Sequence, residues 1–158
     1  MGITINKFMN KFNDFQALPS GQSFTIKVTD SEATAAAQEY LAENKALVKQ
    51  MIQKSAGMSL DVENPVIKFG NDEISMSAKG GKGFLKVNAS LNAKVNWDGK
   101  LNVDVKSVDI PIVSVSPEKL NSIVEKPLIE FMNKVGEYAQ IQSFKLESGA
   151  AYLEATKN

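Results

Sequence analysis

Few residues in this chain are placed to do chemistry. Ser116-Pro117-Glu118-Lys119 spells S-x-x-K, the nucleophile motif of penicillin-recognising enzymes. No K-T-G or S-D-N segment accompanies it. Serine before proline is also an ordinary helix start, with serine as N-cap and proline in the first turn. That reading accounts for Ser116 without a reaction. Lys79-Gly80-Gly81-Lys82-Gly83 has the glycines of a phosphate loop but not the G-x-x-x-x-G-K-[ST] spacing. Lying between two strand patterns, it predicts a hairpin turn at Gly80-Gly81. Asp61/Glu63 and Asp72/Glu73 pair carboxylates, yet neither forms the ligand ladder of a calcium loop, and both read as solvated surface. Asn88-Ala89-Ser90 has the letters of a glycosylation sequon but lies in mid-strand.

What is missing narrows the function further. The chain has no histidine and no cysteine. A Ser-His-Asp triad, a Cys-His pair, a CxxC redox centre and the usual zinc sites are therefore excluded. Its eighteen basic residues are all lysine and are balanced by eighteen acids, so it lacks the basic footprint of a nucleic-acid binder. We expect no catalysis, no metal and no cofactor. A chain of 158 residues, 43% hydrophobic and 23% charged, is long enough for one domain with its own core. No run has the length of a transmembrane helix, and residues 1–30 lack the apolar stretch of a secretory signal. The expected location is extracytoplasmic and membrane-associated if an anchor preceded this sequence, and cytoplasmic otherwise.

The elements follow from periodicity. Residues 3–18 carry Ile5, Phe8, Met9, Phe12, Phe15 and Leu18 at helical spacing. Residues 1–21 thus read as an N-terminal amphipathic helix and linker, and 22–158 as a single α+β domain. The aromatic face of this helix packs on its own domain or on a neighbour. Phe8, Phe12 and Phe15 are the candidates for contact with a protein partner or a second copy, and a membrane surface is the weaker reading. Residues 22–29 alternate as a strand. Thr29 and Glu32 have capping-box spacing and open a helix expected to run from about 30 to 55, roughly 39 Å. A four-strand meander follows. Pro65 suggests an edge or a bulge, Asp98-Gly99 is a hairpin signal, and the apolar phase flips at Ser107, which predicts a second bulge. Its third strand is the most regular, with Leu85, Val87, Ala89, Leu91, Ala93, Val95 and Trp97 on one face. A helix from Pro117 to about 138 should kink or split at Pro127, and strands at 140–147 and 150–156 close the chain.

The predicted fold is α+β: a curved antiparallel meander wrapped around a long amphipathic helix, with a second, Pro-kinked helix and a C-terminal hairpin. The apolar faces are rich in small and adaptable residues, among them Ala33, Ala36, Ala37, Ala89, Ala93, Met51 and Met132. Faces built that way can enclose an elongated apolar channel.

The segments TIKVTDSEATAAAQEYL, NPVIKFGNDEISMSAKG and LNAKVNWDGKLNVDVKSVDIPIVSVSPEKLNSIVEKPL resemble, in their order, the YpmS-like and LmeA-like bacterial envelope proteins. Thr29-Asp30-Ser31-Glu32 matches the start of their first helix, Asp98-Gly99 their hairpin, and Ile110 to Leu120 the approach to their second helix. In the last stretch the chain departs from the pattern, because no glycine precedes Pro111. The resemblance spans about residues 22–156. It implies a half-module similar to the tubular lipid-binding proteins, holding acyl chains in an apolar groove at a bacterial envelope.

Combined with the pattern of faces, it assigns the walls of a groove for a lipid or other apolar ligand. Leu41, Leu47, Val48, Met51 and Ile52 would form one wall. Leu85, Val87, Ala89, Leu91, Ala93 and Val95 would form the other. Leu128, Phe131 and Met132 would close or gate it.

Overall fold

The computed structural model describes residues 10–57, 60–82, 85–110 and 116–158. Ile5, Phe8 and Met9 of the expected N-terminal helix, and the 111–115 stretch, lie outside the described residues. The architecture is α+β with two antiparallel sheets. A 3-10 helix, Asn10–Ala17, leads into β1 (Ser23–Thr29), then α1 (Asp30–Glu43) and α2 (Lys45–Ala56). The meander follows as β2 (Asp61–Gly70), β3 (Glu73–Lys82), β4 (Leu85–Trp97) and β5 (Leu101–Asp109). A 3-10 turn, Pro117–Leu120, precedes α3 (Asn121–Gly136), and β6 (Ala139–Glu147) and β7 (Ala150–Lys157) finish the chain.

The second sheet was only half legible in the sequence. Its C-terminal hairpin is the expected one, but β7 also pairs with β1 along its whole length, giving the order β1-β7-β6. The β2-β3-β4-β5 meander forms the other sheet. The two are stitched where their hairpins meet. The Asp72 N–H donates to the Leu146 carbonyl at 3.2 Å and the Gly149 N–H to the Phe69 carbonyl at 3.0 Å.

α1 begins with the predicted capping box. The Glu32 N–H donates to Thr29 Oγ1 at 3.3 Å, and the Thr29 N–H donates to Glu32 Oε1 at 3.1 Å. The single 39 Å helix does not form, because the chain breaks at Asn44 (φ −129°, ψ 31°). Asn44 Nδ2 donates to the Tyr40 carbonyl at 2.8 Å, and the same carbonyl also accepts the Asn44 backbone N–H at 3.0 Å. Asparagine favours helix ends through local side-chain bonds of this kind, and the sequence signal for it is one residue amid good helix formers. α1 then lies along the outer edge of β2 and shields it. Thr34 Oγ1 accepts from the Ile67 N–H at 3.0 Å, its hydroxyl donates to the Ile67 carbonyl at 3.2 Å, and Asp30 Oδ1 accepts from the Phe69 N–H at 2.8 Å. Pro65 offers no N–H at all. Side chains thus satisfy an edge that would otherwise pair with another strand.

Both expected bulges are present, one in each edge strand of the meander. In β2 the register shifts between Glu63 and Val66, with Asn64 at φ 53°. In β5 it shifts at Lys106, since Asn92 faces Ser107 while Ala93 faces Val105. Each bulge restores the inward phase, so that Val62 and Ile67, two residues of opposite parity, face the same side.

Three other expectations are corrected. Gly80-Gly81 is not a turn: both glycines pair within β3, opposite Val87 and Lys86, because the long β4 ladder carries the hairpin on to Lys82 and Leu85. α3 is not split at Pro127, which lies within the continuous helix; the interruption falls at Leu120-Asn121, where Asn121 Oδ1 accepts from the Val105 N–H of β5 at 2.8 Å. Ser116 holds the N-cap position of the 3-10 turn but makes no side-chain cap bond there; its carbonyl accepts from the Lys119 N–H at 3.1 Å.

The core joins both sheets and α3, with Ile26, Val95, Val135, Leu146 and Leu153 essentially inaccessible. Phe12 and Phe15 of the first 3-10 helix are spent here. Phe15 stacks on Phe24 with centroids 4.7 Å apart, and Phe12 meets Phe131 edge-on at 6.1 Å. The ion pairs, such as Lys86–Glu63 at 2.6 Å and Lys49–Asp61 at 3.4 Å, lie on exposed or half-exposed faces, where each contributes little.

Candidate functional site

The meander, α1, α2 and α3 enclose an apolar cleft of about 270 Å³. α1 contributes Ala33, Ala36, Ala37, Tyr40 and Leu41, and α2 continues the same stripe through Val48 and Ile52. The spacing 33, 37, 41, 48, 52 is helical, so the break at Asn44 bends the stripe without losing it. Facing it, β3 presents Ile74, Met76, Ala78 and Gly80, and their side chains shrink steadily along the strand. On β4, Val87, Ala89 and Leu91 sit opposite Gly80, Ala78 and Met76. Small side chains occur on both walls: three alanines of α1, and two alanines and a glycine of the sheet, are among the lining residues.

The cleft runs lengthwise along the strands. At one end it is closed by fully buried groups, Phe69 and Ile74 of the meander and Phe144 and Ala151 of the other sheet. At the other end Val62, Val87 and Ile110 are half-buried, beside a buried Leu60 and Gly80. Antiparallel pairing places Val62, Gly80 and Val87 in one row, so this is the far edge of the same sheet. Ser77 and Ser90 are hydroxylic side chains at the margin besides Tyr40, and among the described residues no charged one lines the cleft.

Tyr40 is a buried polar group in this lining. Its hydroxyl is withdrawn from solvent and makes no hydrogen bond to the described residues. Burial raises its pKa, and the Glu130 carboxylate of α3 adds to the rise. Glu130 is itself raised, first by burial and further by Glu43, with Lys134 opposing. No group of three or more potential metal ligands occurs among the described residues, and no described helix is long and apolar enough to cross a membrane. The arrangement has the means to enclose hydrocarbon.

Of the residues expected to form the groove, Leu41, Val48, Ile52, Val87, Ala89, Leu91, Leu128 and Phe131 line the cleft. Leu47 and Met51 do not: each is one residue, about 100°, around the helix from Val48 and Ile52. Ala93 and Val95 share the inward face of β4 but lie beyond the closed end, each only 1% exposed in the core. Met132 likewise packs in the core. The side chain of Leu85 lies outside the described residues. The expected list named no residue of β2 or β3, both of which line the cleft. The signal was available in the declining size of Ile74, Met76, Ala78 and Gly80, which reads as ordinary alternation until the opposite wall is known to be alanine.

Comparison with protein-family models, with curated proteins and with solved structures returns no match for this chain.

Proposed function

We propose that this protein binds an apolar ligand, a lipid acyl chain or a molecule like one, in the cleft between α1 and the meander, and does so without catalysis. The observation that carries this reading is an apolar cleft of about 270 Å³ whose lining includes small side chains from both the helix and the sheet. Each alanine that could be leucine forgoes burial of about 2 kcal/mol, at roughly 0.8 kcal/mol per methylene. A sequence shaped for stability alone would fill such a site. The resemblance to YpmS-like and LmeA-like proteins, and through them to tubular lipid-binding modules, supports the same ligand class and suggests work at a bacterial envelope.

Native mass spectrometry of gently purified protein, followed by solvent extraction, tests the reading. The expected result is an adduct that resolves into a lipid or fatty acid, either as purified or after incubation with envelope lipids. An unchanged apo mass after that incubation would refute it. The rival reading is an adaptor that docks a partner or a second copy through Phe8, Phe12 and Phe15. The packing of Phe12 and Phe15 against Phe131 and Phe24 favours an internal role for those two rings.

A further inference from the structure

We infer that the cleft takes a single unbranched hydrocarbon chain, tail first, and that it encloses about eleven carbons of it. This deepens the proposed function and rests on it. Three observations support the inference. The first is shape. From Ile74 to Gly80 the β3 wall is six residues long, about 20 Å at the rise of an antiparallel strand. That is longer than an extended chain of about eleven carbons, so the wall can seat one such chain end to end.

The second is capacity. A dry cavity of about 150 Å³ accommodates benzene, six carbons. Scaling to about 270 Å³ gives roughly eleven. The third is polarity and direction. The closed end, at Ile74 and Phe144, is wholly apolar and buried. The open end, at Val62, Val87 and Ile110, is half-buried. A polar head has no partner at the closed end and meets solvent at the open one, so the tail enters first.

The structure therefore makes Ile74 the floor and Ala78 and Gly80 the residues that set capacity. Adding a side-chain carbon at either of the latter displaces about one ligand carbon. A Cβ on Gly80 meets only the Asp61 carbonyl oxygen at 3.9 Å, an ordinary contact, so this strand tolerates substitution there.

The test is a titration of the full chain with straight-chain alkyl carboxylates from about six to about sixteen carbons, each below its micelle concentration, read by calorimetry. Affinity should rise about fourfold per methylene and level off near eleven carbons, since further methylenes stay in water. A78L and, separately, G80V should each move the plateau shorter by about three carbons, with folding checked by circular dichroism; two variants guard against one failing to fold. Affinity that climbs steadily to sixteen carbons, or a plateau unmoved in both folded variants, overturns the capacity assignment while apolar binding stands. A diacyl lipid that binds much more tightly than its single-chain counterpart overturns the one-chain assignment. No binding at any length overturns the proposed function itself.

Discussion

Replacing Ala89 by phenylalanine is the sharpest test of where the ligand sits. Ala89 lies half-buried on the inward face of β4, opposite Ala78 and in the lining of the cleft. An aromatic ring needs about 150 Å³, so A89F takes more than half of the available space. Enclosed ligand carbons fall from about eleven to about five. At roughly 0.8 kcal/mol per methylene the loss is about 5 kcal/mol, more than three orders of magnitude in Kd. The ring itself gains apolar burial, about 1.5 kcal/mol if half of its surface is covered. For a domain of this size that raises the Tm of ligand-free protein by roughly 3–6 °C. The same change four residues along behaves differently. Ala93 is 1% exposed, faces Ile74 and Val105, and has no space beside it. A93F overpacks the core and costs about 1–3 kcal/mol or more. Calorimetric titration with a medium-chain carboxylate and thermal melts of both variants decide the matter. A folded A89F that binds as tightly as the parent, or an A89F destabilised as much as A93F, refutes the placement of the cleft.

Three further outcomes follow from the same geometry. T34V keeps the shape of Thr34 but removes both hydrogen bonds to Ile67, so chemical denaturation should show a loss of about 1–3 kcal/mol and amide exchange at Ile67 should accelerate, with T34S close to the parent. F12A deletes a ring that contacts Phe15 and Phe131 and should destabilise the monomer by about 3 kcal/mol or more; an unchanged melting curve together with a lost binding partner would instead favour the adaptor reading. Glu130 has its pKa raised by burial, so the folded state holds its proton to higher pH than the unfolded chain does, and stability should fall as pH rises from the ordinary glutamate range through the raised value. E130Q should abolish that decline and be the more stable protein at neutral pH; equal pH profiles in denaturant melts would contradict it.

The local signals in the sequence were strong where chemistry is local. The capping box at Thr29 and Glu32, the Asp98-Gly99 hairpin, and the phase flip around Ser107 each depend on neighbours a few residues away, and each is found in the structure. Pro65 predicted an edge or a bulge and marks both, because a missing N–H is compatible only with such places. Asn44 was missed because its effect is a competition between its side chain and the helix, and the outcome depends on how α1 and α2 must lie over the meander. Gly80-Gly81 was misread because glycine marks turns and also marks strands that leave room for something else.

What the sequence determined by itself was the alternation, and so which face of each element is apolar. Period 2 along β4 and period 3.6 along α1 put Ala89, Leu91, Ala33 and Ala37 inside whatever the fold turned out to be. Where along those faces the core ends and a cleft begins was decided by tertiary structure alone. Ala89 and Ala93 are the same residue on the same face of the same strand. One lines the cleft, and the other is packed beside Ile74 and Val105 in the core that the two sheets share. A void is a property of two surfaces that fail to meet, and no periodicity in one of them records it.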